Sequence, residues 1–337
     1  MGKTNKYPDI DRFRLAAALF VIAIHTSPLA TYSPYADFLV TRVAGRVAVP
    51  FFLMVSGFFL YGSQGWNREK LITFVRKTAI LYGISILIYL PVNWYTGYWR
   101  DKNLALKVIR DIMMDGTMYH LWYLPAAIIG SIISFACYKL LGMRKALIVT
   151  AILYLIGVMG DSYYGIVSEV PVIGAFYREL FKVMDYTRNG IFFAPLFFLL
   201  GGFFKEHRSL QLKYSKGIFW CLFLIMAAEA LLLKRAGVMR HDSMYLLLPA
   251  VMFFLFMILL HRRGREYKSF RVISMAVYII HPWVIIGVRG VSKVLGIQSY
   301  TVNNSIVHFL LIVAGSFLLG GIYYLADSKF RRERKRA

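Results

Sequence analysis

Apolar residues in this chain come neither in strict alternation nor on a single helical stripe. They come in long blocks separated by short clusters rich in Lys and Arg. A hydrocarbon core of about 30 Å needs about 20 helical residues at 1.5 Å each. Blocks of about that length fall near 13–32, 40–62, 71–95, 120–141, 145–160, 189–205, 215–234, 243–262, 272–290 and 304–326. The pattern predicts an all-α fold, a polytopic membrane bundle of about ten transmembrane helices forming one domain over 1–337. The fifth and sixth blocks have blurred limits, because "YLIGVMGDSYYGIVSEV" has no clear end and "TRNGIFFAPLFFLLGGFF" holds Pro195 and a glycine pair. Two longer connections, about 96–119 and 161–187, are expected to carry short interfacial helices.

Composition supports this reading, with 58% hydrophobic and only 17% charged residues, against roughly a quarter charged in a soluble domain. The net charge of +23 would also suit nucleic acid, but the cations sit between the apolar blocks. An even number of spans puts both termini on one side. The clusters "NREK", "MRK", "KEHRSLQLKYSK", "HRRGREYKSFR" and the tail "RRERKRA", from about 327, then share that side with most of the 40 Lys and Arg. By the positive-inside rule that side is the cytoplasm, and no nucleic-acid partner is expected. Cys137 and Cys221 lie in apolar runs without metal-ligand spacing, so neither a disulfide framework nor a metal site is predicted.

The first block carries the chemistry, in "DIDRFRLAAALFVIAIH", residues 9–25. Arg14 and His25 are eleven positions apart, which on a helix returns to within about 20° of one direction over a rise of roughly 16 Å. Arg14 would stand at the cytoplasmic mouth, where a guanidinium grips phosphate, and His25 near mid-membrane, where an imidazole acts as general base. An acyl-CoA, acetyl-CoA included, has that length, with phosphates at one end and a thioester at the other. Snorkelling of Arg14 and a bond from His25 to a helix carbonyl would explain each residue singly; the shared face favours a site. Arg76 and Lys77, near the start of the third span, are candidate phosphate partners, or simple positive-inside anchors.

These residues resemble the first-helix signature of the acyltransferase-3 family of membrane proteins, an Arg followed eleven positions on by His, with Asp11 preceding. "VPFFLMVSGFF", "HLWYLPA" and "SMAVYIIHPW" resemble further segments of that family, and Tyr278 and His281 fall in its Tyr-x-x-His position. The resemblance implies ten core helices, transfer of an acyl group from cytoplasmic acyl-CoA to an acceptor beyond the membrane, and a catalytic role for His25. Within the family, "YHLWYLPAAIIGS", "DYTRNGIFFAPLFFLLGG" and "RHDSMYLLLPAVMFFLF" are similar to the membrane half of the VanT-type serine racemases of vancomycin-resistant bacteria. That half is proposed to supply L-serine to a cytoplasmic racemase making D-serine for peptidoglycan precursors. The likeness implies a bacterial cell membrane, with lipid, L-serine or another small hydroxyl acceptor, and a racemase domain or protein as partners. The chain stops at "RRERKRA", so no racemase domain is expected within it.

The even-numbered helices start on the outer side with polar residues: Arg42 and Arg46, His120, Arg188 with Asn189, and Arg240 with His241, Asp242 and Ser243. Arg42 and Arg46, four apart, are expected on one helical face. Such guanidinium groups suit the carboxylate of a free amino acid and Asp242 its ammonium; ordinary interfacial charge is the plainer alternative. Ser56 before Gly57 reads as a close-packing pair, Glu229 as a proton relay or, more simply, a partner for Lys234 or Arg235, and His281 before Pro282 as a kinked site or a cap for freed carbonyls. Two functions remain open, an acyl-CoA-dependent O-acyltransferase and a carrier of L-serine, with the narrower likeness favouring serine.

Overall fold

The computed structural model of the protein describes residues 7–62, 65–262 and 264–333. The last four residues of the basic tail and Arg263 lie outside that set. In chain order the helices are α1 (Pro8–Thr26), α2 (Pro34–Phe38), α3 (Ala48–Leu60), α4 (Arg68–Tyr95), α5 (Leu104–Arg110), α6 (Tyr123–Gly160), α7 (Tyr164–Val167), α8 (Pro171–Val183), α9 (Ala194–Glu206), α10 (Ser215–Ala236), α11 (Leu248–His261), α12 (Lys268–Val294), α13 (Gln298–Thr301) and α14 (Ser305–Glu333). Among the described residues the sheet structure is one hairpin, β1 (Tyr61–Gly62) paired antiparallel with β2 (Gly65–Trp66).

This is an all-α membrane protein, and each predicted span contains a helix, although 13–32 is helical only to Thr26, 189–205 only from Ala194 and 243–262 only from Leu248. By length and composition six segments among the described residues can cross a membrane: Pro34–Leu60, Arg68–Tyr95, Tyr123–Gly160, Ser215–Ala236, Lys268–Val294 and Ser305–Arg331. The predicted 120–141 and 145–160 are the two halves of α6, divided at Gly142, whose φ of 73° is left-handed. The other three are shorter or more polar. α1 opens with Asp9, Asp11 and two arginines, and α9 and α11 are 13 and 14 residues long.

The chain divides into two compact units, Met1–Ala48 with Ile258–Ala337, and Val49–Met257. The first unit is built on α1, α12 and α14, with Ala18, Ile22, Val277, Ile285 and Ile312 at its centre. Small residues permit that packing, since a side chain on Gly315 would meet Val284. α1 stops at Ser27, left-handed at φ 48°, whose N–H bonds the Ala23 carbonyl at 2.9 Å. Ser305, opening α14, donates to the Pro28 carbonyl at 2.8 Å and so ties that end in place.

Between α2 and α3 the chain runs through a π turn (Leu39–Val43) and a 3-10 turn (Ala44–Val47). Arg42 lies in the first and Arg46 in the second, so the shared face expected of an uninterrupted α-helix does not apply. The irregularity accompanies a close approach: a side chain on Gly45 would stand 2.8 Å from Ile24 of α1.

In the second unit α3 crosses α9 backbone to backbone. A methyl on Gly57 would collide with the Phe198 carbonyl, and one on Gly201 with the Met54 carbonyl. Ser56 donates to Phe52 O at 2.8 Å within its own helix, in keeping with the packing reading of this pair. Gly201→Ala is expected to cost about 2 kcal/mol, the scale of overpacking a tight contact, read as a lower thermal unfolding temperature in detergent. Gly217→Ala on α10, where the new methyl would meet nothing within 4 Å, should leave stability unchanged or slightly raised; equal losses at both positions would refute the crossing argument.

Candidate functional site

In the first unit, α1 and α12 run parallel and face each other at two levels. At the first, the Asp11 carboxylate, 1% exposed, accepts Arg271 Nε at 2.9 Å, Arg271 Nη2 at 3.3 Å and the Tyr267 N–H at 3.0 Å. Arg14 Nε approaches the same carboxylate at 3.6 Å. Glu266 holds the other side of Arg271 at 2.6 Å, while Arg12 pairs with Asp9 at 3.1 Å and with the Tyr267 hydroxyl at 3.2 Å. Asp11 thus gathers two guanidinium groups from two helices. At the second level, eleven residues on from Arg14 along α1 and ten on from Arg271 along α12, His25 stacks on His281 with ring centroids 5.3 Å apart and 19° between planes. His281 is fully buried, and its Nδ1 lies 3.0 Å from the Val277 carbonyl. Pro282 deprives the Tyr278 carbonyl of its helical donor, and the His281 ring interacts with that carbonyl too. Tyr278 is half-buried, one turn before His281.

Arg14 and His25 therefore share the α12-facing side of α1. Arg46, 9% exposed, follows Gly45, which packs on Ile24 beside His25. Arg76 and Lys77 belong to the second unit and are exposed on α4. Arg76 stands at helical spacing between Ile72 and Ile80, themselves 54% and 53% exposed, so it lies on an outward apolar stripe. Arg271 is the cation the structure puts beside Arg14, a position the sequence presented only as one more basic residue in "HRRGREYKSFR".

In the second unit the segments around His120 and Arg188 come together. The Arg188 guanidinium sits over the Trp122 ring at 4.7 Å and the Tyr186 ring at 4.3 Å. His120, 2% exposed, meets Tyr89 and Tyr119 edge-on at 4.8 and 5.4 Å. His241 lies against Tyr186 with ring centroids 4.2 Å apart and planes tilted by 35°, its Nε2 lying 3.3 Å from the Asp185 carbonyl, and half-buried Asp242 follows. Asn189 shapes this loop from within. Its Nδ2 donates to the Tyr186 carbonyl and the Met184 sulfur, and its Oδ1 accepts from Ile191 and Phe192. All four of its hydrogen-bonding positions are thereby used within the loop.

Two carboxylates hold the neighbouring turns. Asp161 Oδ1 accepts the N–H groups of Ser243 at 2.7 Å and Met244 at 3.0 Å. Glu229, expected to pair with Lys234 or Arg235, instead accepts the N–H groups of Leu246 and Leu247 and the Tyr163 hydroxyl. It caps the start of α11, where anions are favoured. Arg110 binds Asp185 at 3.1 Å, with Asp111 at 3.4 Å and Asp115 at 3.7 Å beside it, fastening the α5 segment to the Arg188 loop.

Two groups in these connections have opposite pH signatures. Burial, then Arg240 and Arg188, lowers His241 from 6.5 to about 4. Burial, then the Asp185 carboxylate, raises Asp115 from 3.8 to about 6 against the Asp185 N–H. The unfolded chain holds the extra proton at His241, so that contribution is present above 6.5 and lost as pH falls towards 4. At Asp115 the folded chain holds it, so the contribution is full below 3.8 and lost as pH rises through about 6. The slopes oppose each other. His241→Gln removes one, and its melting temperature should fall more steeply than wild type from about pH 4 to about pH 6. Parallel melting curves for the two proteins across that range would contradict the assignment.

The chain belongs to the acyltransferase-3 family, whose profile, described as an acyltransferase domain, matches residues 7–325. An amino-acid racemase of Enterococcus faecalis is 44% identical over 320 residues, covering 95% of this chain and 45% of that protein. A second amino-acid racemase of Enterococcus faecalis is 37% identical, covering 96% of this chain and 46% of its own length. A serine/alanine racemase of Enterococcus gallinarum is 34% identical over 315 residues, 91% of this chain and 44% of that protein. The chain thus spans less than half the length of these relatives. No solved structure matches it significantly.

Proposed function

We propose that this chain is the membrane half of a VanT-type serine racemase, binding L-serine from outside the cell and supplying it to a cytoplasmic racemase domain or protein. The product would be D-serine for peptidoglycan precursors that end in it, the chemistry of vancomycin resistance. The observation that carries the reading is the Arg188 guanidinium set against the Trp122 and Tyr186 rings, 4.7 and 4.3 Å from their centroids. Aromatic rings hold a guanidinium by cation–π attraction, and its planar fork of N–H donors matches a carboxylate. His120 and Asp242 lie in the segments that frame it, and Asp242 suits the ammonium of an amino acid. Support also comes from the relative named serine/alanine racemase. With both termini cytoplasmic, in a bacterial cell membrane, these segments face outward. The test is binding and uptake of labelled L-serine by the purified chain in proteoliposomes, with D-serine as competitor; no saturable signal in either assay would end the reading.

A second reading, acyl transfer, is favoured by α1 and α12. Arg14 and Arg271 flank one carboxylate at the same level, an arrangement suited to the phosphates of an acyl-CoA. About 16 Å further along, His25 on His281 would take the proton of an acceptor hydroxyl. Calorimetric titration with acetyl-CoA checks it, and absence of heat from the purified wild-type chain would remove it.

A further inference from the structure

Helix α8 presents three separate faces. Gly174, Tyr177 and Phe181 point at the protein: a side chain on Gly174 would collide with the Ser168 carbonyl, the Tyr177 hydroxyl donates to the Ile156 carbonyl at 2.7 Å, and Phe181 meets the Tyr164 ring at 5.5 Å. Val172, Ile173, Phe176, Leu180 and Val183 form a second face, with Val172 81%, Phe176 50% and Val183 59% exposed. Arg178, Glu179 and Lys182 form the third, all exposed, with Lys182 Nζ 2.7 Å from Glu179. At 100° per residue the centres of the faces are roughly 120° apart.

A helix of 13 residues is about 20 Å long, short of the roughly 30 Å of a hydrocarbon core, and Arg178, Glu179 and Lys182 bar it from lying within that core. Water on all exposed sides would leave four apolar side chains, Val172, Ile173, Phe176 and Val183, solvated. A bilayer surface satisfies both exposed faces at once, the apolar one reaching acyl chains and the charged one lying among headgroups, where Arg178 and Lys182 complement lipid phosphate. We infer that α8 lies in the plane of the membrane–water interface, with Val172, Phe176 and Val183 in lipid and Arg178 and Lys182 at headgroup level.

This placement bears on the neighbouring loop. α8 runs directly into Met184, whose sulfur receives Asn189 Nδ2, and into Asp185, which receives Arg110. A helix anchored in lipid fixes the height of the Arg188 loop, so a solute meeting Arg188 arrives at headgroup level.

Spin labels test the inference. Val172→Cys, Phe176→Cys, Val183→Cys, Arg178→Cys and Lys182→Cys are each made in the full chain with Cys137 and Cys221 changed to Ser, and reconstituted in vesicles of phosphatidylethanolamine and phosphatidylglycerol. If the serine background fails to fold, the native cysteines are kept and the parent's labelled signal is subtracted. Labels at 172, 176 and 183 should collide with oxygen and be shielded from a water-soluble nickel chelate, and labels at 178 and 182 should show the reverse order. Equal access of the chelate to all five positions would overturn the inference in favour of a water-exposed helix. Shielding of 172, 176 and 183 from both reagents would overturn it in favour of a protein partner or a second copy.

Discussion

Asp11→Ala is expected to lower the stability of the protein by about 3 kcal/mol, the lower end of the range for breaking a buried ion pair. The carboxylate is 1% exposed and serves Arg271, the Tyr267 N–H and, at 3.6 Å, Arg14. Its removal takes away the buried anion that Arg14 and Arg271 share between α1 and α12. The cost stays at the lower end because Arg271 keeps Glu266 at 2.6 Å and is 36% exposed, so water shares in holding its charge. Glu266→Ala, which leaves Asp11 in place, should cost clearly less. Thermal unfolding in detergent separates them; an Asp11→Ala protein as stable as wild type would mean that α1 and α12 are held by their apolar contacts alone.

The sequence disclosed whatever depends on one helix and its period. Long apolar blocks are a direct demand of the bilayer, so the helices were legible, and Arg14 with His25 was legible because eleven residues nearly complete three turns. What depends on a second element was not. Arg271 meets Asp11 across 260 positions of chain, and nothing in a basic cluster distinguishes a cation that pairs with Asp11 from those that set topology. Arg42 and Arg46 were assigned one face because a π turn followed by a 3-10 turn leaves no periodic trace. Glu229 lay closest in sequence to Lys234 and Arg235, but the open N–H groups at the start of α11 bind it and become visible only when α10 is set beside that turn. Charge alone marks Arg188 in the sequence, whereas its aromatic setting needs Trp122 and Tyr186, two rings from segments more than 60 residues apart that only the fold brings together.

The sharpest test of the proposed function is Arg188. Arg188→Ala is expected to weaken L-serine binding by about 2 kcal/mol, roughly thirtyfold, the loss of a charge-assisted hydrogen bond to a carboxylate. Arg188→Lys should recover little of it, because an ammonium lacks the planar guanidinium fork and cannot offer two parallel donors to a carboxylate. Trp122→Leu removes one stacking wall and should cost about 1 kcal/mol. Arg46→Ala is expected to abolish uptake as well, whereas Arg14→Ala is not, since Arg14 stands with Asp11 and Arg271, some 16 Å along α1 from His25, where an amino acid offers nothing to grip. His25 divides the two readings. If His25→Ala leaves serine uptake intact and removes acyl-CoA turnover, one fold supports two separable activities. If labelled serine never accumulates in wild-type vesicles, transport is the wrong account, and the paired histidines of α1 and α12 become the centre of a membrane acyltransferase.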